Sequence, residues 1–501
     1  MPQKSLYPHS PLLPSFALAL LFLAAGPVAA QPLAVHPQNP HYFVYGGKPT
    51  VLVGSTEHYG AVINGDFDYR TYLRTLAQDG LNTTRLFTGA YFEVPGAFGI
   101  ANNTLAPKPD RLFLPWARSK EPGYSLGGNK FDLSAWNGAY FSRLKDFMAE
   151  ANRQGVIVEV CLFSSYYGAG WPHSPFNAAN NVNKLPAIGP LKANTLDNGG
   201  LLRHQEAYVR KLVQELNGFD NLYFEIQNEP WADLKDTVLV HNEYVGRNDL
   251  KEPGNYWRNT LEVVAQAAND WQRHLAGVIR AEESRLPKKH LVAQNVGNFQ
   301  FPMAEVDPNV AVVNFHYAAP AAVGQNYHFD KVIGFNETGF AGKRDETYRR
   351  QAWRFMLAGG ALFDHLDYSF SVGSENGRDT SYVAPGGGSP ALRKQLGLLK
   401  NFLHSLDLAG MHPQHLPLKS ARGAFVQGLG NGKGQYALYA EGVKGFALVL
   451  DLPAGNYAAE WLHPATGHKT TTSFNHAGGE KVLTAPAGLT EAAVRITKAE
   501  K

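Results

Sequence analysis

The sequence is poor in cysteine: of 501 residues, Cys161 alone carries a thiol. No intrachain disulfide can form, so a chain sent to an oxidising compartment must rest on a large core. Cys161 lies inside the apolar segment VIVEVCLF, which suits a small buried thiol rather than a reactive one. Charge is also sparse, at 18% of residues. The net charge is +3 and no basic run occurs. That excludes the electrostatic footprint of a nucleic-acid binder and gives little attraction to an anionic membrane. No Gly-rich fingerprint follows the first strand-like run, and no nucleotide, flavin or haem signature is present, so no cofactor is expected. Beyond residue 30 no long apolar run exists. The one that does, Phe16 to Ala25 (FALALLFLAA), follows Lys4 and is broken by Gly26-Pro27 before the small residues Val28-Ala29-Ala30. This is the pattern of a cleavable export signal, too short to cross about 30 Å of hydrocarbon. Residues 1–30 are therefore read as a signal peptide. The remainder is expected to be periplasmic or extracellular, with no membrane contact after cleavage.

What is abundant is apolar residues, 44%, together with Gly 50 and Pro 31, which imply a real core and many turns. From about 40 to 405 the chain alternates two patterns. Eight apolar or β-branched runs occur at 50–60, 81–87, 155–163, 221–230, 289–298, 310–317, 331–337 and 360–370. Amphipathic stretches at 68–80, 134–155, 201–218, 256–285, 346–360 and 389–406 read as helices, with Ser134 and Ser389 as candidate N-caps and Gly80, Gly155 and Gly218 as stops. The strand runs are continuous rather than alternating, as when both faces are covered. The pattern predicts an α/β fold, a (β/α)8 TIM barrel over 31–410. After about 412 short strands with Gly, Pro and Asn turns follow, and 411–501 is read as a small all-β sandwich domain. GLGNGKG (428–434) falls between two strand patterns and is read as a hairpin turn.

In such a barrel the chemistry sits where strands end. Glu229 closes the fourth run, in Gln227-Asn228-Glu229-Pro230-Trp231, and Glu337 closes the seventh, in Phe335-Asn336-Glu337-Thr338. Strands four and seven face each other across the mouth, so the two carboxylates can converge. Two facing carboxylates suit cleavage of a glycosidic bond: one protonates the departing oxygen, while the other attacks the anomeric carbon or activates a water.

Asn228-Glu229-Pro230 with Glu337, ordered with Arg85 at the end of the second strand and His316-Tyr317 at the end of the sixth, resembles the clan A retaining glycoside hydrolases, especially cellulase-like members. The C-terminal NYAAEWLHPATG segment is similar to the β-sandwich that often follows such barrels. The resemblance implies a secreted enzyme acting on an oligo- or polysaccharide by retention. Glu229 would be acid/base and Glu337 nucleophile. Asn228 would bind the sugar 2-hydroxyl, Arg85 would hold Glu337 ionised, and His316 or Tyr317 would bond the nucleophile or the substrate. Glu229, buried and facing a negative partner, is expected to have a raised pKa. A non-catalytic carbohydrate-binding barrel and a transglycosylase on the same scaffold are the alternatives.

The chain departs from that pattern at the eighth strand, which lacks the Trp that stacks under the reacting sugar. Asp367 and Tyr368 are the candidates to replace it with polar contacts. His58, after strand one, and Trp171, in the long loop after strand three, are further sugar-binding candidates. Asp364, His365 and Asp367 alternate between faces, so no metal site is expected. Glu159 and Glu225 lie inside strands and are expected to bond to barrel neighbours. Long loops at 88–133 and 164–200, on one side of the mouth, tend to close a groove into a pocket and favour an exo-acting or oligosaccharide-cleaving enzyme. Sugar, linkage and oligomeric state are not legible.

Overall fold

The computed structural model describes residue 1, residues 31–238 and residues 261–499. The segment read as an export signal lies outside the described residues. All eight strand runs form strands: β1 Leu52–Val53, β2 Thr83–Phe87, β3 Ile157–Ser164, β4 Leu222–Asn228, β5 Val292–Asn298, β6 Val312–His316, β7 Val332–Glu337 and β8 Leu362–Phe363. They pair in parallel in the order β1-β8-β7-β6-β5-β4-β3-β2. Every residue of β2, β3 and β4 is buried, which is why these strands read as continuous apolar runs. The ring nearly closes on itself. Among the described residues no ladder joins β1 to β2; Asn82 bridges them, its N–H donating to the Val53 carbonyl at 3.2 Å and its side chain accepting from Val53 N–H at 2.9 Å and donating to the Val51 carbonyl at 2.9 Å.

Helices follow most strands: α1 Tyr69–Gln78, α2 Gly138–Arg153, α3 Leu202–Leu216, α4 Gln266–Glu283, α5 Pro320–Asn326, α6 Asp345–Leu357 and α7 Pro390–His404. Ser389 caps α7 as expected, accepting from Leu392 N–H at 3.0 Å. Ser134 does not cap α2. It lies in a strand, Asn129–Trp136, and Asn137 takes the capping role three residues later. The helix expected from 256 begins at Gln266. The β-branched stretch Leu261–Val264 before it pairs antiparallel with Lys235–Val238, so this insertion after β4 is a hairpin, and it joins the sheet beside β5. None of the described helices is long and apolar enough to cross a membrane.

Six further strands make one antiparallel sheet: β9 Leu418–Gly430, β10 Gln435–Leu452, β11 Gly455–Leu462, β12 Lys469–His476, β13 Gly479–Thr484 and β14 Glu491–Lys498. GLGNGKG ends β9 with its first three residues and supplies the turn to β10 with its last four, Asn431 to Gly434. The first half of β10 pairs with β14 and its second half with β13, and both halves send Leu438, Leu448 and Leu450 into one core with Trp461 and Val494. This β domain is seated on the barrel. Arg349 of α6 makes a bidentate pair with Glu491, at 3.1 and 2.6 Å, and Trp353 stacks on Tyr439 with ring centroids 5.6 Å apart. Tyr439, Leu462 and Ala493 belong to the barrel's own buried cluster.

Candidate active site

The interior of the barrel below its mouth is polar. Glu159 accepts from the amides of Asn314 and Asn336 at 2.8 and 3.1 Å, and Glu225 accepts from Asn336 at 2.7 Å and from Arg85. Burial and the neighbouring Glu225 push Glu159 well above the carboxylate range. Burial pushes Glu225 the same way, but the Arg85 guanidinium outweighs it and holds the group below its usual value. Both strand-internal acids therefore hydrogen-bond to barrel neighbours, as the sequence led us to expect, and burial and Arg85 shift their two carboxyls in opposite directions. Cys161, beside Glu225, is buried, and burial raises its thiol pKa far out of the reactive range.

Arg85 organises the next layer. From the middle of β2, rather than its end as expected, its Nε donates to Glu225 at 3.1 Å, its Nη1 to Glu337 Oε2 at 3.0 Å and its Nη2 to Asn228 Oδ1 at 2.8 Å. The guanidinium is fully buried and lies over the rings of Tyr59 and Phe87, 4.8 and 5.3 Å from their centroids. Glu337, at the end of β7, also accepts from Tyr59 Oη at 2.9 Å and Tyr317 Oη at 3.0 Å.

Glu229 follows β4 with φ 43°, ψ 54°, a left-handed conformation that turns its carboxylate over the mouth. Tyr167 Oη donates to its Oε2 at 2.8 Å, and His316 Nδ1 meets its Oε1 at 2.8 Å. His316 Nδ1 is also 3.5 Å from Glu337 Oε1, and one oxygen of each glutamate lies within 4.8 Å of the other. Burial acts to raise the Glu229 pKa, yet the hydrogen bond and charge of His316, then the Tyr167 hydroxyl, outweigh it, so the carboxyl lies below its usual range in the empty site. This reverses the expectation of a raised value. The sequence showed the burial and the facing acid but not the two donors aimed at Glu229. Among the described residues, Glu229, His316 and Glu337 are also the group that could offer a cation three ligand atoms.

These residues line a cavity of about 530 Å³. Arg85, Asn228, His316, Tyr317 and His58 are all brought to it or to the carboxylates that line it. Asn228 is already engaged: its Nδ2 donates to Tyr167 Oη at 2.8 Å and to Ser164 Oγ at 3.2 Å. Three candidates are placed elsewhere. Asp367 is buried against Arg393 Nη1 at 2.7 Å, Ser55 Oγ at 3.0 Å and the Ser369 N–H at 3.0 Å, so both its oxygens are consumed by the barrel wall. Trp171 donates its indole N–H to the Ile188 carbonyl at 3.1 Å and packs on Tyr166, anchoring its loop. Tyr167, four residues earlier, is the aromatic of that loop that reaches the site. Tyr368 stands behind His58, with ring centroids 6.1 Å apart, rather than on the cavity surface. Apolar walls come instead from Phe98, Phe340 and Trp231.

Sequence reasoning missed Tyr59, Glu93 and the hairpin residues Lys235 and Glu262, which also line the cavity. Tyr59 was findable, since it follows Glu57-His58 at the end of β1. Glu57 itself faces away, accepting from the N–H groups of Gly60 and Ala61 at 2.9 and 3.0 Å. A backbone signal marks the site independently. Of the eight described non-glycine residues with positive φ, five line the cavity: Tyr59, Phe98, Tyr167, Glu229 and Tyr317. Such strain persists only where the surroundings enforce it, and it concentrates at functional sites.

No family model matches the chain, and no curated protein matches it. Solved structures share its fold. A protein of Bacteroides vulgatus ATCC 8482 described as a glycoside hydrolase superposes with a TM-score of 0.63 at 13% identity, covering 95% of this chain and 84% of its own. A glycoside hydrolase family 5 protein of the same organism gives 0.60 at 12% identity, covering 93% and 94%. A third structure, named glycoside hydrolase, gives 0.59 at 13%, covering 94% and 98%. At these identities the likeness is one of fold: a TIM barrel followed by a β domain.

Proposed function

We propose that the protein is an exported glycoside hydrolase that cleaves O-glycosidic bonds of an oligo- or polysaccharide with retention, Glu337 acting as nucleophile and Glu229 as acid/base. The observation that carries the reading is the approach of the two carboxylates to within 4.8 Å across one cavity. Retaining enzymes hold their carboxyl groups roughly 5–5.5 Å apart, whereas inversion needs about 6.5–9.5 Å to admit a water. The fold neighbours described as glycoside hydrolases agree with this chemistry. Export rests on the N-terminal apolar run.

In the first step a Glu337 oxygen bonds to the anomeric carbon, the glycosidic C–O bond breaks, and Glu229 gives its proton to the departing oxygen. Arg85, Tyr59 and Tyr317 fix the attacking carboxylate by three hydrogen bonds. In the second step a water oxygen attacks the same carbon, its proton passes to Glu229, and Glu337 is released. Esterified Glu337 carries no charge, so the acid/base is then free to take a proton from water. Asn228, beside both carboxylates, is assigned to the sugar 2-hydroxyl, exchanging its bond to Tyr167 for one to the ligand. Because Glu229 rests below the usual carboxylate range, the proton it donates is scarce at neutral pH, and activity is expected to be highest on the acid side.

The test is a screen of aryl glycosides and polysaccharides with wild type and Glu337→Ala. Wild type should turn over at least one substrate, and the variant should lose on the order of 10⁴ or more in kcat/KM. Azide should restore turnover and yield a glycosyl azide of inverted configuration. Equal rates for the two proteins would sink the nucleophile assignment. Added acceptor alcohol separates hydrolysis from transglycosylation.

A further inference from the structure

One end of the cavity carries a charged pair that the proposed mechanism does not use. His58 Nε2 lies 3.1 Å from Glu93 Oε1, and both residues line the cavity while being more than nine-tenths buried. Glu93 is fixed further by Asn103 Nδ2 and by Tyr91 Oη at 3.4 Å. The other nitrogen of His58, Nδ1, is buried without a partner among the described residues, and so is the hydroxyl of Tyr368 beside it. An imidazole nitrogen left without a partner beside a buried carboxylate is costly unless something completes it. His58 stacks on Tyr59 with ring centroids 5.6 Å apart, and Tyr59 donates to Glu337 at 2.9 Å, so this end lies on the nucleophile's side of the site, where the sugar that becomes bonded to Glu337 must sit. The leaving group departs past Glu229, toward Trp231 and the Lys235–Glu262 pair, joined at 2.5 Å, at the opposite end.

The His58 end is walled off by three loops tied together. Ala101 N–H, in the loop after β2, donates to the Val383 carbonyl at 2.9 Å. Gly342 N–H, after β7, donates to Pro385 at 3.3 Å, and Tyr368 N–H, after β8, to Gly387 at 3.1 Å. Gly386 crosses Gly339 so closely that a Cβ on it would stand 1.6 Å from the Gly339 carbonyl oxygen, so only glycine permits this crossing. A chain of sugars cannot continue through such a wall.

We infer that His58 and Glu93 form the blind end of the cavity, gripping the hydroxyls of a single terminal sugar, so that the enzyme removes one residue at a time from the non-reducing end of its substrate. This rests on the hydrolase reading and adds to it the position attacked. A carboxylate and an imidazole held edge to edge can accept from and donate to two neighbouring hydroxyls, which a continuing chain would not present free.

Oligosaccharides labelled at the reducing end test it. Wild type should release monosaccharide from the first turnover and leave labelled products shorter by one residue. Glu93→Gln and His58→Asn should raise KM at least tenfold for an aryl monoglycoside while changing kcat less, with thermal midpoints recorded for both. Labelled products spread over all lengths from the start would overturn the blind end while keeping the hydrolase. Unchanged KM in both folded variants would overturn it too. If wild type hydrolyses no glycoside, calorimetric binding of free monosaccharides decides: binding weakened by Glu93→Gln supports the blind end although the hydrolase reading has failed, and binding that is absent or unaltered overturns both.

Discussion

Replacing Tyr167 by Phe should move the pH profile of the enzyme upward. The Tyr167 hydroxyl donates to Glu229 Oε2 at 2.8 Å, a bond made to the charged carboxylate. Hydrogen bonds to charged groups contribute about 1.5–3 kcal/mol. The protonated carboxyl gains much less from the same donor, so most of that difference is lost with the hydroxyl. The pKa of Glu229 should therefore rise. The sign follows from the direction already present: His316 and Tyr167 hold Glu229 below its usual value, and removing one donor returns it part of the way. With Glu229 as the proposed general acid, its proton in the free enzyme sets the alkaline limb of kcat/KM. The limb should therefore shift to higher pH, and the variant should lose less of its own maximal rate at neutrality than wild type does.

The assay is kcat/KM against pH for a phenyl or alkyl glycoside, whose leaving oxygen needs the proton. A dinitrophenyl glycoside serves as control, because its leaving group departs unprotonated and its profile should lack the shift. Phe keeps the ring of Tyr167 and its packing against Tyr91 and Phe98. Asn228 Nδ2 loses one acceptor and keeps Ser164 Oγ. An alkaline limb that stays in place, or moves down, would refute the electrostatic account of Glu229.

Three other outcomes are expected. Asn82→Ala removes the two side-chain hydrogen bonds that tie β1 to the start of β2 and keeps the backbone bond to the Val53 carbonyl, leaving the Val53 N–H to find another partner; urea unfolding should show a loss of about 1–3 kcal/mol with kcat unchanged at low temperature. A chain ending near residue 410 should be insoluble or partly unfolded, because it strips Tyr439 from Trp353 and leaves Arg349 without Glu491; a soluble, fully active fragment would show the β domain to be dispensable. Exhaustive chelation should leave turnover intact if Glu229 and Glu337 work as acid and nucleophile; loss restored by one divalent ion would reassign the Glu229, His316 and Glu337 cluster to a metal.

The barrel was legible because each strand is buried on both faces and each helix on one, so hydrophobic pattern alone separates the two. It failed where local chemistry overrode period. Leu261–Val264 lies next to a helical pattern and was absorbed into it, yet its β-branched residues pair with Lys235–Val238. Ser134 has the right side chain for a cap but sits in a strand, and Asn137, three residues on, meets the first free N–H groups. Asn82 carries no sign in the sequence that it closes the ring, since its role depends on two strands that are adjacent in space but not joined by a ladder.

The site was legible to the extent that it depends on strand ends. Arg85, Asn228, Glu229, His316, Tyr317 and Glu337 all belong to or directly follow a barrel strand, and strand order alone brings them together. Side chains placed by loops were not readable: the choice of Trp171 over Tyr167 turns on the path of one loop. The same limit explains the misjudged sign at Glu229, because a pKa is a sum over partners, and two of its largest contributors come from β6 and the loop after β3. What the sequence hides, the backbone reveals. Tyr59, Tyr167, Glu229 and Tyr317 each take positive φ just beyond a barrel strand, at a cost of about 1–3 kcal/mol per residue. Phe299, just after β5, also takes positive φ but does not line the cavity, whereas these four do. They turn three phenols and one carboxylate inward, and the three phenols are those that donate to Glu229 and Glu337. The strained residues thus aim hydrogen bonds at two carboxylates, which agrees with the roles proposed for Glu229 and Glu337.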